Sequence, residues 1–109
     1  MLGCTVPEAV KYLETNPRGL KLKGNHIDHI RPLSSFKNLR LPSELRMANH
    51  YLNLQLLTPE ENMRKGAEFD YDEWSITEHG SKLIELGRVW KKLLDPPQQE
   101  DTEESMEMD

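Results

Sequence analysis

Asp28 and His29 stand side by side, and two amides, Asn53 and Asn62, follow within the next stretch of chain. A carboxylate and an amide carbonyl are hard oxygen donors suited to Mg²⁺ or Mn²⁺, and two such ligands leave positions for water and a substrate phosphate. An imidazole titrates near neutrality and can take a proton from an attacking water. Asp28 and Asn62 around one divalent ion, with His29 as general base, would therefore suit phosphodiester hydrolysis. Each residue alone has a plainer reading: a strand-end acid, a surface histidine, a turn amide, an exposed helix residue. Only the joint pattern favours a site.

Asp28 and His29 end the run LKLKGNHIDHI, in which Leu20, Leu22, Ile27 and Ile30 interleave with polar residues, predicting extended chain. YLNLQLL alternates in the same way and predicts a second short strand that contains Asn53. Thr58-Pro59-Glu60-Glu61 offers an N-cap, a proline in the first turn and two acids against the helix dipole, so a helix carrying Asn62 should run to Gly66. Strand, loop, strand and helix form a unit that can turn Asp28 and Asn62 toward one another.

Around this unit, Thr5-x-x-Glu8 has capping-box spacing and predicts a helix over 6–14, ended by the turn cluster Asn16-Pro17-Arg18-Gly19. Pro42 and Ser43 predict a helix of one or two turns through Leu45 and Met47. A last helix is expected over 77–94, preceded by the capping-box spacing of Ser75 and Glu78, with Leu83, Leu86, Trp90, Leu93 and Leu94 on one apolar stripe. Pro96-Pro97 stops it.

With 109 residues the chain has room for one domain, and 36% hydrophobic and 6% aromatic residues allow only a small core. The net charge is 14 − 19 = −5, but it is segregated. Residues 1–66 carry ten basic and six acidic side chains, residues 67–95 four and seven, and residues 96–109 none and six. We expect a folded domain over 1–95 and a disordered acidic tail over 96–109, which cannot offset the entropy of ordering. The positive first part keeps nucleic acid open as a partner. No secretory signal and no membrane-length apolar run is visible, so a soluble, cytoplasmic protein without membrane contact is expected. One cysteine, Cys4, rules out an internal disulfide and a paired-cysteine zinc site.

HIDHIRPLSSF followed by NHYLNLQLLTPEENMRKG resembles the HNH endonuclease family, across residues 26–66 and extending to the leading helix. It is similar to HNH nucleases often found in phage and giant-virus genomes, in which asparagine stands in place of histidine as the third motif residue. The resemblance implies an α+β fold, a small β-β-α-metal core with an N-terminal helix and a C-terminal amphipathic helix. It also implies a metal-dependent endonuclease that holds one Mg²⁺ or Mn²⁺ on Asp28 and Asn62, uses His29 as the base, and uses Asn53 to fix the loop that orients the His29 ring. Double-stranded DNA would be the partner, in a bacterial or virus-infected cell. One such site cuts one strand, so a double-strand break requires a homodimer or a second binding event. With no appended reading module, sequence specificity should be weak unless a protein partner supplies it.

Arg31, Arg64 and Lys65 lie beside motif residues in the positive part of the chain and are expected to contact phosphates. His26 and His50 flank the motif and could touch the ion or the scissile phosphate, although a histidine bonded to backbone is the plainer role for both. His79 is expected in solvent, Cys4 buried, and Trp90 in the core. The rival reading is a catalytically inactive HNH-fold module that binds nucleic acid or protein.

Overall fold

The computed structural model describes residues 2–97; the expected acidic tail therefore lies, from residue 98 onward, outside the described residues. The fold is α+β, with five α-helices and one two-stranded antiparallel sheet among those residues. No described helix is long and apolar enough to cross a membrane.

Helix α1 (Val6–Glu14) begins at the expected box: the Glu8 amide donates to Thr5 Oγ1 at 3.2 Å and the Thr5 amide to Glu8 Oε1 at 2.8 Å. The Thr5 amide first, and then the Thr5 side chain, hold the Glu8 carboxyl below its ordinary pKa. Asn16 then organises the turn, donating to the carbonyls of Leu13 and Leu20 and accepting from the amides of Arg18 and Leu20. Ala9 and Leu13 bury the inner face of α1.

The extended stretch is shorter than its alternation predicts. Strand β1 is only His26–His29, because its partner β2 is only Leu54–Leu57. Residues 20–25 have no strand to pair with and turn through Gly24, at φ +80°. The register sets His26 opposite Leu57, Ile27 opposite Leu56, Asp28 opposite Gln55 and His29 opposite Leu54.

Asn53 is not in the second strand. It ends a 3-10 turn, Tyr51–Asn53, immediately before β2. His50 forces that turn by accepting the Leu52 amide on Nδ1 at 3.2 Å, while the Asn53 amide donates to the His50 carbonyl at 2.8 Å. Helix α2 (Pro42–Asn49) continues beyond the expected end at Met47. Its first turn is fastened by Asp95, whose carboxylate accepts from the Ser43 amide at 2.8 Å and the Ser43 hydroxyl at 2.6 Å.

Helix α3 (Pro59–Lys65) starts at a second reciprocal box between Thr58 and Glu61, and ends at Gly66 with φ +52°. Helix α4 (Tyr71–Ser75), capped by Asp70, has no counterpart in the sequence reading. It buries Trp74. Helix α5 (Glu78–Leu94) is capped by Thr77 instead of Ser75, since Ser75 is consumed as the end of α4 and donates its hydroxyl to the Asp72 carbonyl.

The α5 stripe also differs from expectation. Its packing face is centred on Leu83, Gly87 and half-buried Trp90, and α2 lies against it, with Met47 over Gly87. Leu93 lies about 120° around the helix from Gly87 and is 74% exposed, and Leu94 is exposed too. His79 is half-buried, its Nε2 at 3.4 Å from the Tyr12 hydroxyl, because α1 covers the start of α5 there; it is not in open solvent. Cys4 is only half-buried.

Candidate functional site

Helix α3 lies along the sheet in contact with both strands. Side chains at alternate strand positions share a face, so His26 and Asp28 point the same way, roughly 6–7 Å apart along β1. Asn62 and Lys65 are one helical turn apart and meet that face in order. The Asn62 amide nitrogen lies 3.0 Å from His26 Nδ1, and the Lys65 ammonium lies 3.1 Å from Asp28 Oδ2. The predicted carboxylate and helix amide thus occupy neighbouring positions on one surface.

Asp28 is buried, its side chain 9% exposed. Gln55, its cross-strand partner, donates to Oδ2 at 2.9 Å. Lys65 reaches Oδ1 at 3.4 Å as well, and donates to the His29 carbonyl at 3.0 Å. The carboxylate is therefore fixed by a neutral amide on one side and faced by a full positive charge on the other. An unpartnered buried carboxylate would be strongly disfavoured, which explains why both neighbours are needed.

The His29 ring belongs to different surroundings. Strand alternation turns it away from the Asp28 face, and its Nε2 lies 3.4 Å from Asn49 Oδ1 at the end of α2. Asp28, His26, Asn62 and Lys65 are gathered by α3, whereas His29 joins them through its backbone carbonyl and sends its imidazole toward α2.

Asn53 is fully buried and uses its whole carboxamide. Oδ1 accepts from the Arg31 amide at 2.8 Å, and Nδ2 donates to the carbonyls of Arg31 at 3.1 Å and Ala48 at 3.0 Å. Its own carbonyl accepts from the Ile30 amide at 2.7 Å. One side chain thus joins the exit of β1, the end of α2 and the entry to β2.

The expected phosphate contacts differ in placement. Arg64 is exposed. Lys65 is engaged with Asp28. Arg31 is half-buried, with its guanidinium 4.0 Å from the Phe36 ring centre, 5.3 Å from Tyr71 and 5.4 Å from Trp74, and it donates to the Ser35 hydroxyl and carbonyl. Burial lowers its pKa. His26 is exposed, while buried His50 caps the 3-10 turn and stacks on Tyr51 with ring centres 4.6 Å apart.

Three contributors escape a sequence reading. Gln55 owes its role to a strand register, Asn49 to the length of α2, and Arg18 to the turn after α1. Arg18 grips both oxygens of Glu61 at 2.8–2.9 Å and so docks the start of α3. With the Thr58 amide, this draws the Glu61 carboxyl down to about 2. Asp70 and Glu73, by contrast, could have been read as a capping pair announcing α4.

Among the described residues no three His, Cys, Asp or Glu side chains gather into a metal-holding group. An ion here would rest on Asp28 with the Asn62 carbonyl, completed by water or phosphate. That donor chemistry fits a hard divalent ion, and in this structure the Lys65 ammonium is the positive charge that compensates Asp28. Compared with family models, with curated proteins and with solved structures, the chain has no match.

Proposed function

We propose that the protein is a metal-dependent endonuclease of the HNH type, hydrolysing phosphodiester bonds of double-stranded DNA inside the cell. The observation that carries this reading is the packing of α3 along β1, which sets Asn62 beside His26 and, one helical turn on, Lys65 against the buried Asp28 carboxylate. Asp28 and Asn62 would hold one Mg²⁺ or Mn²⁺. When bound, that ion would supply charge stabilisation for the oxygen leaving phosphorus.

The chain's own residues carry the proton chemistry. His29 would act as the base once its ring turns from Asn49, whose Oδ1 lies 3.4 Å from Nε2, toward the ion, its unprotonated nitrogen then accepting a proton from water. The water oxygen then bonds to phosphorus as the bond to the leaving oxygen breaks. Asn53 holds residues 30 and 31, and with them the end of β1, so the ring has a fixed base to pivot from. Arg64 is free of the described ion pairs and supplies phosphate attraction without reading sequence. One site nicks one strand, and a second copy or a specificity-giving partner extends the action.

The closure of Asp28 by Lys65 and Gln55 favours a second reading, an inactive HNH-fold module that binds nucleic acid or protein. Plasmid nicking with Mg²⁺ or Mn²⁺ separates the two. The endonuclease should convert supercoiled to open-circular DNA, and His29→Ala should slow this at least about 100-fold, the usual minimum contribution of a general base. Equal nicking by parent and variant removes His29 as the base, and no nicking by the parent leaves the binding module.

A further inference from the structure

We propose that Lys65 is an exchangeable plug in the cation position of Asp28, bound when the divalent ion is absent and expelled when it enters. This rests on the metal-site reading above and concerns the residue that the ion must displace.

The ammonium has three donors, and the structure gives it three oxygens: Asp28 Oδ2 at 3.1 Å, Asp28 Oδ1 at 3.4 Å and the His29 carbonyl at 3.0 Å. This is a small oxygen cage closed around one positive charge. It lies against both carboxylate oxygens, and Gln55 shares Oδ2, so a divalent ion entering here would compete with the ammonium for the same carboxylate. A divalent ion on the same carboxylate would face the ammonium at contact range in a largely dehydrated setting, where like charges repel strongly. The two cations must therefore exclude each other.

Departure of Lys65 is sterically simple. The residue is the last of α3 and is followed by Gly66, its side chain is 20% exposed, and a four-carbon stem can swing its ammonium into water by rotation alone. The plug also keeps the buried carboxylate compensated while no ion is bound, avoiding the cost of an isolated buried charge. Expelled, the ammonium stays on the helix that carries Asn62 and becomes available to a nucleic-acid phosphate. Ion entry and phosphate attraction are thereby coupled through one side chain.

The test is titration of Mn²⁺ into the full chain, following the free-ion electron paramagnetic resonance signal, for the parent, Lys65→Met and Asp28→Asn. We expect Lys65→Met to bind Mn²⁺ at least tenfold more tightly than the parent and Asp28→Asn to lose binding. Equal or weaker binding by a folded Lys65→Met, with loss in Asp28→Asn, overturns the plug and leaves the metal site standing. Absence of Mn²⁺ binding in the parent and Lys65→Met alike overturns both. Acylation of lysines in the parent, mapped by mass spectrometry, gives a second readout that needs no variant. Lys65 should be modified at least severalfold faster with saturating Mn²⁺ than without it, and an unchanged rate overturns the proposal.

Discussion

The Asn53 carboxamide bonds both backbone groups of Arg31, accepting from its amide at 2.8 Å and donating to its carbonyl at 3.1 Å. A side chain that pairs with one residue's N–H and C=O imitates a neighbouring strand, and so carries the sheet pairing one step beyond His29. The third bond, to the Ala48 carbonyl, ties in α2. Asn53→Ala would strand these groups in a site closed to water, so it should destabilise by about 3 kcal/mol, near 1 kcal/mol per bond. Asn53→Asp should cost a similar amount, since a carboxylate cannot donate to the two carbonyls. Urea unfolding checks both, and a loss below about 1 kcal/mol would contradict the account.

Gly80 and Gly87 of α5 look alike in sequence and should respond differently to alanine. A Cβ at Gly80 would collide with the Trp74 carbonyl, which is backbone and already accepts from Thr77. A Cβ at Gly87 would meet the end of the Met47 side chain, which can rotate away. Alanine gains about 1 kcal/mol of helix propensity at the interior position of Gly87 and less at Gly80, in the first turn of α5. Gly80→Ala should therefore destabilise by about 1–3 kcal/mol despite that gain, while Gly87→Ala should fall within about 1 kcal/mol of the parent. Thermal melts of the two variants side by side test the contrast.

The same contrast shows what the residues reveal without coordinates. Helix starts were legible because their signal is local: Thr5 with Glu8 and Thr58 with Glu61 close reciprocal boxes within four residues. Where two local signals overlapped, as at Ser75 and Thr77, position in the preceding helix decided which would cap. The alternation from Leu20 overstates β1, because alternation reports a half-buried surface and says nothing of whether a partner strand is long enough. The neighbours of Asp28 depended on register and helix placement. Lys65 was legible as a basic residue beside the motif, but its bond to Asp28 was not.

His50 predicts a pH dependence. Burial first, and nearby positive charge including Arg46, lower its pKa below 6.5, so the folded protein keeps the ring neutral where the unfolded chain would protonate it. Below pH 6.5 the unfolded state binds more protons, and the stability contributed by neutral His50 is full above 6.5 and lost as pH falls through the folded value. The ring accepts the Leu52 amide on Nδ1 and stacks on Tyr51, so its protonation should loosen the turn that leads into Asn53. The ring resonances followed by NMR should titrate with a midpoint below 6.5, and a midpoint above 6.5 would reverse the sign. Urea midpoints should fall between pH 7 and pH 5, less so in a folded His50→Asn variant.

Arg31 and Arg64 both flank the motif, yet their environments assign them different work. Arg64 is exposed on α3 and makes none of the ion pairs among the described residues. Arg31 spends its guanidinium on Ser35 and on the rings of Phe36, Tyr71 and Trp74, joining the loop after β1 to α4. Each phosphate-bound cation releases counterions and adds to the salt dependence of binding. Arg64→Ala should thus lower the slope of log affinity against log salt by about 1 for duplex DNA, with folding stability unchanged within about 0.5 kcal/mol. Arg31→Lys should leave the slope unchanged but cost about 1–2 kcal/mol of stability, because a compact ammonium replaces neither the planar stacking nor the forked bonds to Ser35. Binding measured by fluorescence anisotropy across salt concentrations, beside urea unfolding of the same variants, distinguishes the roles. A reduced slope in Arg31→Lys at unchanged stability would mean that the guanidinium leaves the aromatic rings to meet phosphate.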